Sequence, residues 1–554
     1  MGNLLSKPRL LLAALAELLR TYRTLEARLA RSPGLPVPSP TVSFWMVPPA
    51  DVHGDARAYK PGDAAAGGGT DAGAKVGAEE ELPEEADVVI VGSGITGTAV
   101  AHTILAHAPR TRVVMLEARD ACSGATGRNG GHINPPLYHD YRELVEAHGA
   151  ARAATLVRFR LAHMAELARV ARDEGLAEHA EIRQTEHLEV HMTEESWEEA
   201  KAGVKAWKEG MPQEAATCEV WEGAEARERF CLPENVLGCV VVPGGAIHPY
   251  RFVTGLLTKL LQRHPDGIHL ATHTPCTDIQ PPSTSSPHYT LLTPRGAIRA
   301  THVVHATNGW ASHLLPSFRR KLVAFRGTMT AQRPGSGLAP CTRAGARSFV
   351  FHPAARGYDY LTQRPGPGPG AELMLGGAWA QARDGGLPTI GDADDAVLSF
   401  ESTAYLAGVL PAYFGARWGR EGAPQEGERE EGWGEGRLKA AWSGVLGISA
   451  DGMPWVGRLP EKLAGRKAPR GVGIGTGRKG AEEGGAGVAE PGEWIAAGYS
   501  GEGMVHAWMS GKALAHMVLG CEREIEAWFP EMLRVTEKRW KEADVEKMLA
   551  RFML

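Results

Sequence analysis

Apolar and polar positions follow three different rhythms along the chain. From 87 to 118 two short unbroken apolar runs, DVVIV (87–91) and RVVMLEA (112–118), flank the apolar-faced stretch TAVAHTILAHA (98–108). A β-branched run of that length fits a strand buried on both faces, as a parallel sheet requires, and the stretch between fits its crossover helix. From 182 to 379 the rhythm shortens. IRQTEHLEVHMTEESWEEA (182–200) predicts a strand pair followed by a helix, and FRGTMTAQRP (325–334), YDYLTQRP (358–365) and ELMLGGAW (372–379) alternate as half-buried strands do. At the start, leucines 11, 15, 18, 19, 25 and 29 recur at near-helical spacing within residues 8–31. SPGLPVPSP (32–40) ends that helix, since its prolines cannot continue one.

Composition narrows the picture. With 554 residues, 43% of them hydrophobic, the chain can build a large core or several domains. The formal charge is only -5 and no dense basic tract interleaves with aromatics, so no nucleic-acid partner is expected. The seven cysteines (122, 218, 231, 239, 276, 341 and 521) are scattered without a C-x-x-C, which argues against a disulfide framework and a zinc cluster. A reducing cytoplasmic setting fits, and no metal site is expected. The longest apolar approach, LLLAALAELL (10–19), is broken by Glu17, so neither a transmembrane helix nor a secretory signal is read.

The N-terminal MGNLLS matches the M-G-x-x-x-[ST] pattern for myristoylation at Gly2. Residues 1–31 carry six basic and two acidic side chains, a net +4. A basic amphipathic helix is the second signal that a single acyl chain needs for peripheral membrane contact. The same leucine stripe also suits a helix packed on the globular body, and spacing does not separate the two readings. A mitochondrial transit peptide is disfavoured by Glu17 and Glu26. Residues 51–81 are low-complexity and read as a surface segment.

The sharpest chemistry follows the run at 87–91. Gly92-Ser93-Gly94-Ile95-Thr96-Gly97 stands between strand and helix, and Glu117 ends the second strand. Strand, glycines, helix, strand and acid in that order make a dinucleotide-binding fingerprint. Gly92 allows the tight turn, Gly94 the approach of a pyrophosphate, and Gly97 close helix packing; Glu117 suits ribose hydroxyls. The glycine run GVGIGTGRKG (471–480) follows no strand and reads as a solvated insertion. Three further stretches stand out. ARDACSGATGRNGGHI (118–133) puts Ser123, Thr126, Gly127, Arg128, Asn129, Gly130 and Gly131 in one loop, a dense set of donors for a flat ring. RATHVVHATNGW (299–310) reads as a strand ending in Ala306, Thr307, Asn308 and Gly309. WSGVLGISADGMPWVGRLP (442–460) and WIAAGYSGEGMVHAWMSGKALAHMV (494–518) give strand, glycine turn and helix.

On these four separated motifs the chain resembles the D-amino-acid-oxidase-like superfamily of FAD-dependent oxidoreductases over about residues 85–520. Glycine oxidase and sarcosine oxidase belong there, and SGATGRNGGH is most similar to the γ-glutamylputrescine oxidase branch. The resemblance implies an α/β and α+β architecture: a Rossmann-type FAD-binding domain assembled from discontinuous segments, with a second mixed-sheet substrate domain. The segments are 85–178, 243–320 and 439–525 (insertion at 461–491) for FAD, and 179–242 and 321–438 for substrate. Residues 1–40 form the helix and its Pro-rich end, 41–84 a linker, and 526–554 a helical tail.

The same resemblance implies roles. Gly92, Gly94, Ile95, Thr96, Gly97, Glu117, Ala118 and Arg119 hold the ADP half, and Cys276 presents its backbone to the adenine. Thr126 to Gly131, Ala306, Thr307 and Gly309, and Gly501, Glu502, Gly503 and Met504 surround the flavin. A helix beginning near Gly503 directs its positive end at the ring. Sarcosine-oxidase-like enzymes carry a lysine where this chain has Val505, and attach flavin to a cysteine where it reads AAWSGVL (440–446); a relative's linking histidine falls near Arg128. Non-covalent FAD and a substrate other than sarcosine follow. His132, Arg326, Tyr358 and Tyr360 are the candidate catalytic groups. His132 also suits a backbone-satisfied histidine, Arg326 a structural ion pair, Trp379 and Trp442 packing, and Glu502 a solvated turn. The implied reaction moves a hydride from the carbon beside an amine nitrogen to flavin N5. The imine is then hydrolysed and electrons pass to O2 or another acceptor. A membrane-associated dehydrogenase feeding a carrier or quinone, and a non-catalytic flavoprotein, are the alternatives.

Overall fold

The computed structural model describes residues 6–52, 81–284, 286–354, 357–366, 371–422, 424, 432–470 and 489–553. Gly2, most of the low-complexity segment and the glycine run at 471–480 lie outside them. Strand Glu85–Val91 pairs in parallel with Val113–Leu116 on one side and Gly296–His305 on the other. Ile268–Ala271 and Gly492–Ala497 extend the parallel sheet at its two ends. Trp455–Arg458 closes one edge antiparallel, and the hairpin of Asp278–Gln280 and Tyr289–Thr293 joins Gly296–His305. Val88, Val89 and Ile90 are at most 1% exposed, the both-sided burial that their unbroken apolar run requires. Helices Ile95–His107 and Ala507–Val518 cross closely, because a Cβ on Gly511 would stand 2.6 Å from the Thr96 carbonyl oxygen. Segments some 400 residues apart thus form one layer.

The second sheet has eight strands in the order Leu438–Ser449, Leu322–Gln332, Leu373–Gly377, Asp359–Gln363, Arg347–His352, Arg183–His191, Gly238–Ala246 and Glu219–Glu222. Only Arg347–His352 and Arg183–His191 run parallel; the other neighbours are antiparallel. Leu188, Val190, Phe349, Phe351 and Leu361 bury one face against Leu406, Leu410 and Phe414 of helix Phe400–Phe414. The opposite face carries His187, Glu189, Ser348 and Tyr360, as period-two alternation demands.

Several expectations move. Residues 182–200 hold one strand and a helix, Glu194–Gly210, and not a strand pair; the partner strand comes from Gly238–Ala246, which pairing with the whole of Arg183–His191 makes the inner neighbour. That strand straddles the boundary set at 243, and Leu438–Ser449 belongs wholly to the second sheet, so the first sheet resumes at Trp455 rather than 439. The helix after Gly503 starts at Ala507, preceded by a 3-10 turn Gly503–Val505. Residues 461–466 pack, with Leu463 and Ala464 buried and Arg466 paired with Glu493. Residues 41–52 are no linker. Phe44 and Trp45 are buried, Ser43 donates to the Gly127 carbonyl at 2.6 Å, and Trp45 donates to that of Asn129 at 2.5 Å.

Helix Ser6–Ala30 divides the two readings of its leucines. Leu25 and Leu29 are buried in a cluster with Phe325, Met548 and Leu549, and Arg28 donates to the Leu387 carbonyl at 2.6 Å. Leu10, Leu11, Leu12, Leu15, Leu18 and Leu19 are exposed, from 46% to 71%. Among the described residues no helix is long and apolar enough to cross a membrane.

One buried carboxylate ties the two sheets together. Asp395, fully buried, accepts from Arg119 Nη1 at 2.9 Å and Nη2 at 3.1 Å and lies 3.5 Å from Arg128 Nε. Arg128 also donates to the carbonyls of Ser123 (2.8 Å), Thr41 (2.7 Å) and Ser443 (2.9 Å). Burial lowers its pKa to about 10 against the opposing pull of Asp395. Removing one partner of a buried pair strands the other charge, a cost of about 3–5 kcal/mol. Asp395→Ala should therefore lose that much stability in chemical denaturation, while Asp173→Ala, breaking an exposed pair with Arg169, should lose under ~1 kcal/mol. Equal losses would deny the hub its role.

Candidate functional site

The first glycine turn is dictated by close approaches. Gly92 has φ +107°, and a Cβ there would stand 2.7 Å from the Ala306 carbonyl oxygen; one on Gly97 would stand 2.0 Å from that of Gly92. Gly94 begins helix Ile95–His107 with no side-chain cap. An uncapped helix start presents N–H groups and a partial positive charge to whatever lies before it. Glu117 is held in place by the Ser93 amide (3.1 Å), the Ser93 hydroxyl (2.7 Å) and the Arg119 amide (3.1 Å).

The last glycine turn reaches the same place. The Thr96 hydroxyl and the Tyr499 phenol are 2.8 Å apart, joining the two turns directly. A cavity of about 540 Å³ is lined by Gly92, Gly94, Ile95 and Thr96 from one turn and by Gly501, Glu502, Gly503 and Met504 from the other. Cβ atoms on Gly501 and Gly503 would meet nothing within 4 Å, so both face open space.

Most of the expected cofactor residues converge on this cavity. Glu117, Ala118, Arg119 and Cys276 line it, as do Thr126, Arg128, Asn129 and Gly130, and Ala306 and Thr307. Gly97, Ser123, Gly127, Gly131 and Gly309 stand behind the wall. Their glycines are close-packing positions: a Cβ would lie 2.5 Å from the Cys122 carbonyl oxygen at Gly127, 2.4 Å from that of Ile247 at Gly131, and 2.7 Å from that of Leu446 at Gly309. The guanidinium groups of Arg119 and Arg128 are spent on Asp395. Gly34, Leu35 and Pro36, from the Pro-rich segment, line the cavity as well. The proline pattern there signalled only a helix end.

Of the candidate catalytic groups, His132, Tyr358 and Tyr360 line the cavity and Arg326 does not. Arg326 pairs with Asp392 at 2.9 Å and donates to the Asp394 carbonyl at 3.1 Å, so the structural ion pair accounts for it. Both ring nitrogens of His132 are buried without a hydrogen-bond partner of ordinary geometry, and burial, with His187 nearby, lowers its pKa to about 3. Its imidazole is neutral at any physiological pH. Tyr360, its hydroxyl 3.1 Å from Met329 Sδ, has its pKa raised by burial and stays a phenol. Trp442 is fully buried and donates to the Arg128 carbonyl at 2.8 Å, a packing role.

The rest of this wall escaped the sequence reading. His139, His187, Glu189 and His352 line the cavity from the polar face of the second sheet and the loop after His132. Glu189 lies 3.0 Å from His187 Nε2, 2.9 Å from His352 Nε2 and 3.4 Å from His139 Nε2. Burial alone would raise its pKa, yet the charge of His139 and contacts with the three histidines hold it well below the ordinary value. HLEVH at 187–191 carried the signal, three polar residues at period two alternating with Leu188 and Val190.

The comparisons with known proteins agree with this geometry. The family described as FAD dependent oxidoreductase (DAO) matches residues 87–517. The chain belongs to that family. Glycine oxidase from Geobacillus kaustophilus superposes with a TM-score of 0.57 at 19% identity, over 82% of this chain and 99% of that one. L-proline dehydrogenase from P. horikoshii does so at 0.54 and 17%, over 81% and 98%. L-amino acid deaminase from Proteus vulgaris, its specific insertion deleted, gives 0.56 and 16%, over 84% and 96%. By sequence, one subunit of the anaerobic glycerol-3-phosphate dehydrogenase of Haemophilus influenzae is 30% identical over 166 residues, 30% of this chain and a quarter of that relative's length.

As a member of this family the chain is an FAD-binding flavoprotein, and the site fits the cofactor. The cradle over Gly94, the uncapped helix, the carboxylate of Glu117 and the open space at Gly501 and Gly503 are what a long, doubly charged dinucleotide needs. Gly97→Ala drives a methyl into the Gly92 carbonyl. It should lower the flavin retained per protein at least about tenfold, a loss of ~1.4 kcal/mol, read from the visible absorbance of the purified variant.

Glu502 brings a pH dependence to the cavity. Burial raises its pKa to about 7, opposed by Arg160 and His139 and supported by Asp140. His506, 3.8 Å away, and Tyr358 are the other titratable neighbours. A raised carboxyl pKa favours the fold while the proton is bound, so this contribution is full below about 4.5 and is lost as pH rises to about 7. Glu502→Gln should flatten the fall in melting temperature across that window; an unchanged slope would show that Glu502 titrates normally.

Proposed function

We propose that this flavoprotein oxidises the C–N bond of a small amine or amino acid, with non-covalent FAD, and releases a carbonyl product after imine hydrolysis. One observation carries the reading: the cavity shared by both glycine turns continues onto the polar face of the second sheet, where His132, Tyr358, Tyr360 and Glu189 form its far wall. The first sheet and its helices then serve as the FAD-binding domain and the second sheet as the substrate domain. FAD, when bound, accepts the hydride, and O2 or another acceptor takes the electrons.

The side chains of the wall suit a neutral amine. An amine gives up hydride only as the free base, and an enclosed cavity disfavours its charged form. His132 has a lone pair to accept an amine N–H, with the backbone near Phe349 and Leu361 beside its ring. Tyr360, held as a phenol, offers a donor that does not ionise in the working range. Buried Val505 stands at the position of the sarcosine-oxidase lysine, and Arg326 points elsewhere, so a carboxylate finds neither familiar anchor.

A panel of amino acids, N-methylated amino acids and amines, scored for carbonyl product, tests the reading. At least one should turn over, with a rate that rises with pH until the free amine dominates. His132→Ala should lower kcat/KM about tenfold, the scale of one hydrogen bond of ~1.4 kcal/mol. Turnover of sn-glycerol 3-phosphate with none of the amines would overturn it. The six exposed leucines between Leu10 and Leu19 favour a second reading of the acceptor, a carrier at a membrane surface reached through this basic helix and an acylated Gly2. Co-flotation with anionic vesicles that depends on residues 1–20 supports it.

A further inference from the structure

We propose that His139, Glu189 and His352 form a binding site for a divalent first-row metal ion, of the zinc class, in the substrate wall of the cavity. Their ligand atoms lie within 4.8 Å of one another. Glu189 Oε1 stands 3.4 Å from His139 Nε2, and Glu189 Oε2 stands 2.9 Å from His352 Nε2. Ligands at ~2.0–2.1 Å from a tetrahedral ion are roughly 3.3 Å apart, so the Glu189 carboxylate already stands near that spacing from both imidazoles, and an ion would draw the two imidazoles together from within 4.8 Å. Two imidazoles and one carboxylate are a donor set for zinc, iron or cobalt rather than for magnesium or calcium.

The surroundings are those of a built site. Glu189 and His352 sit on adjacent strands, Arg183–His191 and Arg347–His352, whose parallel register sets Val350 beside Glu189 and His352 beside His191. Both are therefore fixed by sheet geometry, and His139 closes the set from the loop after His132. His187 Nε2 lies 3.0 Å from Glu189 Oε1, while its Nδ1 meets Asn134 Nδ2 at 3.0 Å and Ser348 Oγ at 3.1 Å. Donation from Nε2 to the carboxylate leaves Nδ1 to accept from the amide and the hydroxyl, one consistent tautomer. A donor fixed in this way on a carboxylate oxygen orients metal-binding carboxylates. His191 stacks on His352 at 4.5 Å with rings 2° from parallel, holding the imidazole plane. All three ligand residues line the cavity, so the ion keeps an open position facing it.

That open position explains a gap in the wall. Among the described lining residues the only guanidinium groups are those of Arg119 and Arg128, both committed to Asp395, and there is no lysine. A bound divalent cation would supply the anchor for a substrate carboxylate that Val505 and Arg326 do not. This role rests on the proposed amine or amino-acid chemistry; the metal site does not.

The FAD-loaded protein, stripped with a chelator and dialysed against zinc without substrate, tests the site by elemental analysis. One equivalent should bind, and His352→Ala and Glu189→Gln should each lose it. His187→Ala should weaken it by about 10–100-fold. His516→Ala, which breaks the surface cluster of His107, His516 and Glu524, should leave the equivalent in place. Flavin content and circular dichroism verify that the variants fold, and His352→Gln replaces His352→Ala if that does not. No bound zinc, or an equivalent that survives His352→Ala and Glu189→Gln, would overturn the site whatever the amine panel shows.

Discussion

The placement of Asp395 between two arginines governs how this molecule is put together. A carboxylate with no exposure is tolerable only if fully paired, and Arg119 and Arg128 come from the loop that follows the second strand of the dinucleotide fold. Asp395 itself belongs to a loop of the other half, and its carbonyl accepts from the Thr41 amide at 2.8 Å. Three stretches distant in sequence, near 41, 119–128 and 395, are locked in one orientation. The loop 123–131 is threaded between these anchors, which hold its backbone against the cavity. An arginine in a flavin loop reads naturally as a ligand contact. Here the two guanidinium groups are engaged by Asp395 and backbone carbonyls, and they shape the backbone that lines the cavity.

Much of the fold was legible because it is dictated locally. An unbroken DVVIV run followed by three glycines and an apolar helix admits few structures, and Gly92 and Gly97 stand against carbonyl oxygens that no side chain could approach. The meeting of the two glycine turns was legible through family resemblance, and Thr96–Tyr499 shows it physically. What escaped is non-local. Nothing in IRQTEHLEVH says that its sheet partner begins at Gly238, and this error made one strand look like two. Strand Leu438–Ser449 resembles part of a nucleotide domain by its place in the chain, yet its pairing along all of Leu322–Gln332 puts it in the other sheet. Arg326 does not line the cavity although its neighbours Gly327 and Thr328 do, because Asp392 and the Asp394 carbonyl engage its guanidinium, a non-local pairing that a motif does not record.

The cavity joins two chemical environments. Its nucleotide side offers backbone donors, a helix start and one fixed carboxylate. Its other side carries His132, which stands uncharged, and the sheet residue Glu189, surrounded by histidines. Different elements supply the two sides, so each can vary without the other. The N-terminal helix adds a third element, its last turns buried in the body and its first four presenting leucines outward.

The measurement that bears most directly on this account is the visible absorption spectrum of the purified protein before and after acid precipitation. Closure of both glycine turns on one non-covalent flavin predicts a yellow protein whose colour passes entirely to the supernatant as FAD. A colourless protein, or flavin that stays in the pellet, would contradict it.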